Sequence, residues 1–454
     1  MTLHLFNTLG RQKQKFKPIK KGKVGFYTCG PTVYDYAHIG NLRSFVFADI
    51  LKRVLQYNNY TVKQVMNLTD VGHLVSDADE GEDKMEKGSR RTGKTAWEIA
   101  KFYALSFKKD LVDLNIILPN TLCRATDYIK EQIALIKKLE KKGFTYKIPD
   151  GIYFDTSKIR DYGKLVDLRH QDLQAGYRVN MGGKKNTNDF ALWKFSPKFE
   201  KRQMEWKSPW GIGFPGWHAE CSAMAVKHLG QPFDIHSGGI DLASVHHTNE
   251  IAQSEAANNK PMANYWLHSE FLNLANAKMS KSDGNFITLL TLKEKGYSPL
   301  SYRYFLLQSH YRKQTIFSFE ALDAAQKGLE HLYTIARTLN KKIKTTNETK
   351  TEFLNFINND LDTPGALAFV WEKIKEKKID LKTLLKFDEV FGLKIKENLK
   401  ETKIKISDDV EKIIKERNNA RTNKDWAKSD ELRKKLENLG YKVEDGKNGT
   451  NISE

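Results

Sequence analysis

Small or apolar residues alternate with polar ones through residues 23–29, KVGFYTC, and the run stops at Gly30-Pro31, which predicts a short strand ending in a turn. The period then changes. Leu42, Phe45, Ile50, Leu51, Val54 and Leu55 lie close to helical spacing, and residues 61–69, TVKQVMNLT, carry the β-branched content of a second strand. Strand, helix, strand is the unit of a parallel nucleotide-binding sheet, whose ligands sit beyond the carboxyl ends of the strands near helix N-termini. The loop with Cys29, Tyr34, His38 and Gly40 is thus placed for chemistry.

The texture shifts after residue 120. An amphipathic helix over 126–143 gives way to strand-like pieces such as GIYFDTS and a Gly/Asn/Lys-rich stretch around MGGKKNTN, which together read as an insertion. Helix and strand signals return in HAECSAMAVKHLG, FDIHSGG and VHHTNEIAQSEAAN, the second half of the sheet domain. From about residue 318 the pattern is almost continuously helical, clearest in FEALDAAQKGLEHLYTIARTLN. The expected fold class is α/β: a Rossmann-like parallel-sheet domain with an insertion, followed by a C-terminal α-helical bundle. The boundaries implied are 1–119 and 208–295 for the two halves of the sheet domain, 120–207 for the insertion, 296–405 for the bundle and 406–454 for a small terminal region.

Composition narrows the class. With 454 residues, 40% apolar, 29% charged and no apolar run near the roughly 20 residues of a bilayer span, the expectation is a soluble chain of several domains. The N-terminal MTLHLFNTLGRQKQKF lacks the apolar core of a secretory signal. Only Cys29, Cys123 and Cys221 are present, which excludes a disulfide scaffold and suggests a reducing cytosol. Basic side chains exceed acidic ones by 75 − 56 = 19, yet residues 331–454 hold 27 against 22, so there is no basic tail. Charge alone fits an RNA partner and a Lys-rich surface equally well.

Two short segments carry candidate chemistry. His38-Ile39-Gly40-Asn41 opens the first helix, where an imidazole and an amide one turn apart can hold phosphates and stabilise charge in a transition state. Far downstream, Lys278-Met279-Ser280-Lys281-Ser282 precedes Asp283-Gly284-Asn285, and its two lysines and two hydroxyls suit a triphosphate and a departing pyrophosphate. Singly, these read as a plain helix cap and a solvated turn.

Together they resemble the HIGH and KMSKS signatures of class I aminoacyl-tRNA synthetases, and the stretch from Cys29 to Asn41 resembles the opening of cysteinyl-tRNA synthetases. The likeness continues through NLTD (67–70), NDFALWK (188–194), SPWGIGFPGWHAECSAM (208–224), FDIHSGGIDL (233–242), HHTNEIAQS (246–254), YWLHS (265–269) and RYFLLQSHYR (303–312). It implies that Cys29, Cys221, His246 and Glu250 bind one Zn²⁺, although their spacing contains no CxxC or HxxxH and would not have suggested a metal. The ion's implied task is to recognise the substrate thiolate against the harder hydroxyl of serine, so that no editing domain is required. The resemblance further implies an ATP site formed by His38, Gly40, Asn41, Asp241, Lys278, Ser280, Lys281 and Ser282, with Mg²⁺. His38, Asn41, Lys278 and Lys281 would be the catalytic side chains. Thr69, Trp217 and His236 would lie at the cysteine pocket, and Arg421, Trp426, Asp430 and Asp445 would read the tRNA anticodon. For Trp426 the competing expectation is burial in a helical hairpin. The implied partners are L-cysteine, ATP and cysteine-specific tRNA, with no membrane, in a cytoplasmic monomer.

There are departures. Asn41 replaces the usual second histidine, and HHTNE, NLTDVGH and HSGGIDLASVHH replace more usual forms around the zinc ligands. Two rival readings follow: a ligase of the same catalytic superfamily that joins cysteine to an amino-sugar, and a non-catalytic RNA-binding relative.

Overall fold

The structure is a computed structural model that describes residues 2–71, 88–90, 93–166, 183–197, 202–275, 286–339, 343–400, 407–446 and 449–453. The chain forms two compact units, residues 1–395 and 396–454.

In the first unit, β1 (Lys23–Thr28), α1 (Ile39–Tyr57), β2 (Thr61–Leu68), α2 (Ala96–Asp113) and β3 (Thr121–Arg124) build one half of a parallel sheet. The inserted segment follows, with α3 (Ile129–Lys141) and the strands β4 (Thr145–Ile148), β5 (Gly151–Phe154), β6 (Phe190–Phe195), β7 (Trp206–Ser208) and β8 (Gly211–Pro215). These pair antiparallel in the order β4-β5-β6-β8-β7. Then α4 (Trp217–Leu229), β9 (Phe233–Gly239), α5 (Thr248–Asn258) and β10 (Ala263–Ser269) complete the parallel sheet in the order β10-β9-β1-β2-β3. The strand order reverses between β1 and β9, and such a switch point opens a crevice at the strands' carboxyl ends. There Cys29 N–H donates to Ser237 O at 3.0 Å.

The alternation expected in KVGFYTC is weaker than the sequence suggests. Phe26, Tyr27 and Thr28 are all buried because β1 is covered on both faces, as parallel strands between helix layers are. Helix α1 is likewise sunk in the unit: Arg43, Asp49, Lys52 and Arg53 are buried along with its apolar residues.

Five further helices, α6 (Pro299–Leu307), α7 (Phe319–Thr338), α8 (Asn347–Asn358), α9 (Thr363–Lys375) and α10 (Leu381–Phe391), belong to this same unit. A buried ion cluster joins them to α1. Asp49 Oδ2 accepts from Arg303 Nη2 at 2.5 Å and from Arg53 Nε at 2.7 Å, while its Oδ1 accepts from Ile117 N–H at 2.8 Å. Burial disfavours the Asp49 carboxylate, but Arg303 and Arg53 outweigh it and hold its pKa below the usual value. Tyr302 adds a hydroxyl bond to Ile39 O at 2.7 Å, so α6 supports the first turn of α1.

The second unit contains α11 (Asp408–Thr422), α12 (Trp426–Asn438) and a hairpin pairing Lys442–Gly446 with Gly449–Ser453. Its core is thin: Val410, Leu436 and Val443, flanked by Ile413, Ile414 and Tyr441.

Candidate active site and metal centre

Four donors from separate elements meet at the switch point. Cys29 follows β1, Cys221 lies in the second turn of α4, His246 lies next to last in a π-helical turn (Ala243–His247), and Glu250 lies in the first turn of α5. All four are buried, and their ligating atoms lie within 4.8 Å of one another. His246 and Glu250, four residues apart across the junction of this turn with α5, share a face and point to one place. Two glycines let the backbone close in. A Cβ on Gly30 would stand 1.7 Å from Asn67 O, and one on Gly238 would meet His247 Cε1 at 2.8 Å.

The geometry fits a tetrahedral zinc ion. Zinc–sulfur bonds of about 2.3 Å put two thiolates about 3.8 Å apart, and Cys29 and Cys221, both free thiols, have sulfurs 3.9 Å apart. Cys29 Sγ is 3.7 Å from Glu250 Oε1, and His246 Nε2 is 3.1 Å from the same oxygen. Electrostatics agree. Burial opposes a charged Glu250, but His236 and His246 hold its carboxyl down at about 2. Burial also opposes a charged His246, yet Glu250 and then Cys221 raise it to about 10. Burial, then contact with Cys221, pushes the Cys29 thiol well up. Cys221, despite burial, is held below its usual value by the hydrogen bond from Cys29 and by His246. The donor set therefore draws positive charge inward.

A second set, Cys29, His236, His247 and Glu250, also has its ligating atoms within 4.8 Å of one another and shares two members with the first. The first offers two thiolates and so the softer, more zinc-like environment. His247 is better placed as support: its Nε2 is 3.3 Å from Cys29 Sγ, and its Nδ1 is 2.7 Å from His268 Nε2. Burial and the neighbouring imidazoles keep it neutral.

The pocket residues expected from the sequence lie close by. Trp217, partly exposed, sits over His246 with ring centroids 4.2 Å apart. His236 is fully buried, stacks on Trp266 at 4.3 Å and reaches Glu250 Oε2 at 3.1 Å. Thr69 is buried, accepts from Asn67 Nδ2 and donates to Glu220 Oε2 at 3.2 Å. Glu220, His218, Asn249 and His268 were not singled out from the sequence, although each lies in a segment quoted for the resemblance. Cys123 is buried in the core, with its thiol against Met66 O.

On the nucleotide side, His38 is the N-cap of α1, and its Nδ1 accepts the Asn41 backbone N–H at 3.1 Å. The hydrogen of a neutral ring is then on Nε2. The side chain of Asn41 is exposed in the first turn, Gly40 is part-exposed beside it, and that turn holds no acidic residue. Asp241 is exposed on the turn after β9. Lys278, Ser280, Lys281 and Ser282 lie outside the described residues. The flanks of their segment are described: Ala275 N–H donates to Phe317 O, and Ile39 N–H to Ile287 O at 2.9 Å, with Thr288 bridged to His38.

In the second unit, Trp426 is 58% exposed, so packing does not account for it. Asp430 is exposed on the same helix. Arg421 and Asp445 pair with each other at 2.7 Å, and Asp445 also holds the buried Arg417 at 2.8 Å.

Known proteins place the chain. The family described as "tRNA synthetases class I (C) catalytic domain" matches residues 15–327, and "Cysteinyl-tRNA ligase anticodon binding domain" matches 405–452. A solved methionyl-tRNA synthetase of Mycobacterium tuberculosis, in complex with methionyl-adenylate, shares the fold with a TM-score of 0.56 at 14% identity, covering 83% of this chain and 89% of that one. The fold and the family match define a class I aminoacyl-tRNA synthetase. Within that class, "Cysteine--tRNA ligase 1" of Burkholderia lata is 50% identical over all of this chain and 97% of its own length. "Cysteine--tRNA ligase" of Treponema denticola is 45% identical over 98% of each. The chain belongs to the cysteine–tRNA ligase family. Among the described residues, no helix is long and apolar enough to cross a membrane.

Proposed function

We propose that the protein attaches L-cysteine to its cognate tRNA in two steps, an ATP-consuming activation and a transfer, as a cytoplasmic monomer that holds one Zn²⁺ in Cys29, Cys221, His246 and Glu250 and takes its nucleotide with Mg²⁺. The observation that carries this reading is the buried donor set, with two sulfurs 3.9 Å apart, at the switch point beside the α1 N-terminus. A zinc ion held there would expand beyond its four protein ligands to take a thiolate in preference to a hydroxyl.

The protein's own residues do the rest. Trp217 and Thr69 wall the amino-acid pocket, and His236 steadies Glu250 from behind. The cysteine carboxylate attacks the α-phosphorus of ATP, and pyrophosphate leaves. His38, through Nε2–H, and Asn41 donate to phosphate oxygens at the positive end of α1, with Gly40 leaving room for the chain to approach. Lys278 and Lys281 neutralise the departing pyrophosphate, Ser280 and Ser282 offer it hydroxyl hydrogen bonds, and Asp241 takes the ribose hydroxyls. A hydroxyl of the terminal adenosine of the tRNA then attacks the adenylate carbonyl, and AMP leaves. No side-chain nucleophile takes part, so catalysis is positioning and charge stabilisation. Trp426 and Asp430, with Arg421 and Asp445, face the anticodon, the exposed indole giving an unpaired base a stacking surface.

Cysteine-dependent exchange of labelled pyrophosphate into ATP, run with and without a chelator and followed by transfer of labelled cysteine to tRNA, tests the reading. Exchange that needs the metal, then charging of tRNA, is expected. Exchange untouched by metal removal, no exchange in zinc-replete protein, or transfer to an amino-sugar in place of RNA would overturn it.

A further inference from the structure

Behind His246 runs a line of hydrogen bonds that leaves the metal centre and ends in the inserted segment. His246 turns Nε2 toward Glu250 at 3.1 Å, and its Nδ1 lies 3.0 Å from Nδ1 of His218. His218 Nε2 is 3.1 Å from the side-chain amide of Asn249, and the other end of that amide is 2.6 Å from the Tyr162 hydroxyl. Tyr162 in turn reaches Asn188 O at 3.5 Å. His246, His218 and Asn249 are each 1–2% exposed, so water does not stand in for any of them.

Hydrogen-bond direction along this line is constrained. An imidazole that lends Nε2 to a cation carries its hydrogen on Nδ1, so His246 must donate and His218 Nδ1 must accept. A neutral His218 then carries its hydrogen on Nε2 and needs an acceptor. The amide oxygen of Asn249, 3.1 Å away once the amide is turned, serves there, with its NH₂ turned to the Tyr162 oxygen. The structure draws the amide the other way, nitrogen toward His218 and oxygen toward Tyr162. A half-turn about the Cβ–Cγ bond exchanges the two ends at nearly the same heavy-atom distances. Tyr162, both donor and acceptor, accommodates either orientation and in the required one passes its own hydrogen toward Asn188 O.

We propose that Asn249 and Tyr162 are positioning residues for the metal ligand His246: acting through His218, they fix the imidazole tautomer that leaves Nε2 open to the ion, and so tie metal affinity to the inserted segment. The proposal rests on the zinc reading above. Groups that orient a ligating histidine in this way usually change metal affinity by about 10–100-fold when removed.

Zinc affinity, measured by competition with a chromophoric chelator on full-length protein, and the absorption spectrum of the Co²⁺-loaded form test the proposal. Asn249→Leu keeps the volume but offers no acceptor, and is expected to bind zinc about 10–100-fold more weakly with an altered Co²⁺ spectrum. Asn249→Asp offers an acceptor to both neighbours and is expected within about threefold of the parent, which a purely steric role would not separate from Leu. Tyr162→Phe is expected to weaken binding by about threefold to tenfold. Asn249→Leu at parental affinity, Asn249→Asp as weak as Leu, or Tyr162→Phe unchanged would overturn the proposal. Should Asn249→Leu not fold, Asn249→Asp weaker than the parent by about tenfold or more, or Tyr162→Phe unchanged, would overturn it. A parent protein that binds no zinc would instead refute the metal reading itself.

Discussion

The two units solve different recognition problems with opposite use of burial. In residues 1–395 the polar groups that matter are sunk and mutually locked, as in the Cys29/Cys221/His246/Glu250 cluster and the Asp49 ion cluster. In residues 396–454 a thin apolar core carries an exposed Trp426 and mostly surface ion pairs. A small amino acid must be told from a near-isostere, which needs a dry, rigid site whose groups are costly to leave unpaired. An RNA loop offers bases that can be splayed and stacked on the surface.

The contrast breaks most visibly in stability. Asp49→Ala leaves Arg303 and Arg53 buried without their partner and is expected to cost the first unit about 3–5 kcal/mol by denaturant unfolding. Glu437→Gln, which removes the exposed partner of Arg433, is expected to cost the second unit no more than about 0.5 kcal/mol. Equal costs would erase the distinction. In activity, Cys221→Ser is expected to reduce cysteine-dependent pyrophosphate exchange by about 100-fold or more, beyond the loss typical of a merely orienting group, with tRNA binding unchanged in a filter assay. Trp426→Ala reverses that split. It is expected to leave exchange intact and to weaken tRNA binding by about 1–3 kcal/mol, the worth of one stacked base, without loss of stability because the ring is exposed.

The smallest effect sharpens the electrostatics. Burial, and then Asp113, raise the Asp110 carboxyl to about 7. Its folded pKa lies above the unfolded value of about 3.9, so the folded state binds the extra proton and stability falls as pH rises from about 4 to 7. Asp110→Asn is expected to flatten that slope and to raise the melting temperature at pH 8 by roughly 1–2 °C. Asp49 has the opposite sign. Its lowered pKa makes its contribution fully present above the usual aspartate range, to be lost as the solution is acidified through its folded value.

Much of the frame was legible in the chain. The strand, helix, strand opening falls at Lys23–Thr28, Ile39–Tyr57 and Thr61–Leu68, within two residues of the pattern at each boundary. The helices after residue 318 follow their apolar period. The metal centre was legible only through resemblance, because 192 residues separate Cys29 from Cys221 and only the parallel sheet brings them together. Burial of charge was not legible: Asp49 and Arg303 sit in segments that periodicity alone does not mark as ionic cores. Nor was the path from Tyr162 to His246, since no local spacing records a contact between an inserted segment and a helix 87 residues further on. The lysines and serines of 278–282 are plain in the sequence, and their arrangement lies outside the described residues.

The central claim is that sulfur of the incoming amino acid is read at a zinc ion held by four buried side chains. X-ray absorption at the zinc edge tests it directly. One zinc per chain with two sulfur neighbours, rising to three on addition of cysteine and unchanged with serine, is the predicted result. Absence of zinc, or a sulfur count that cysteine does not change, would contradict it.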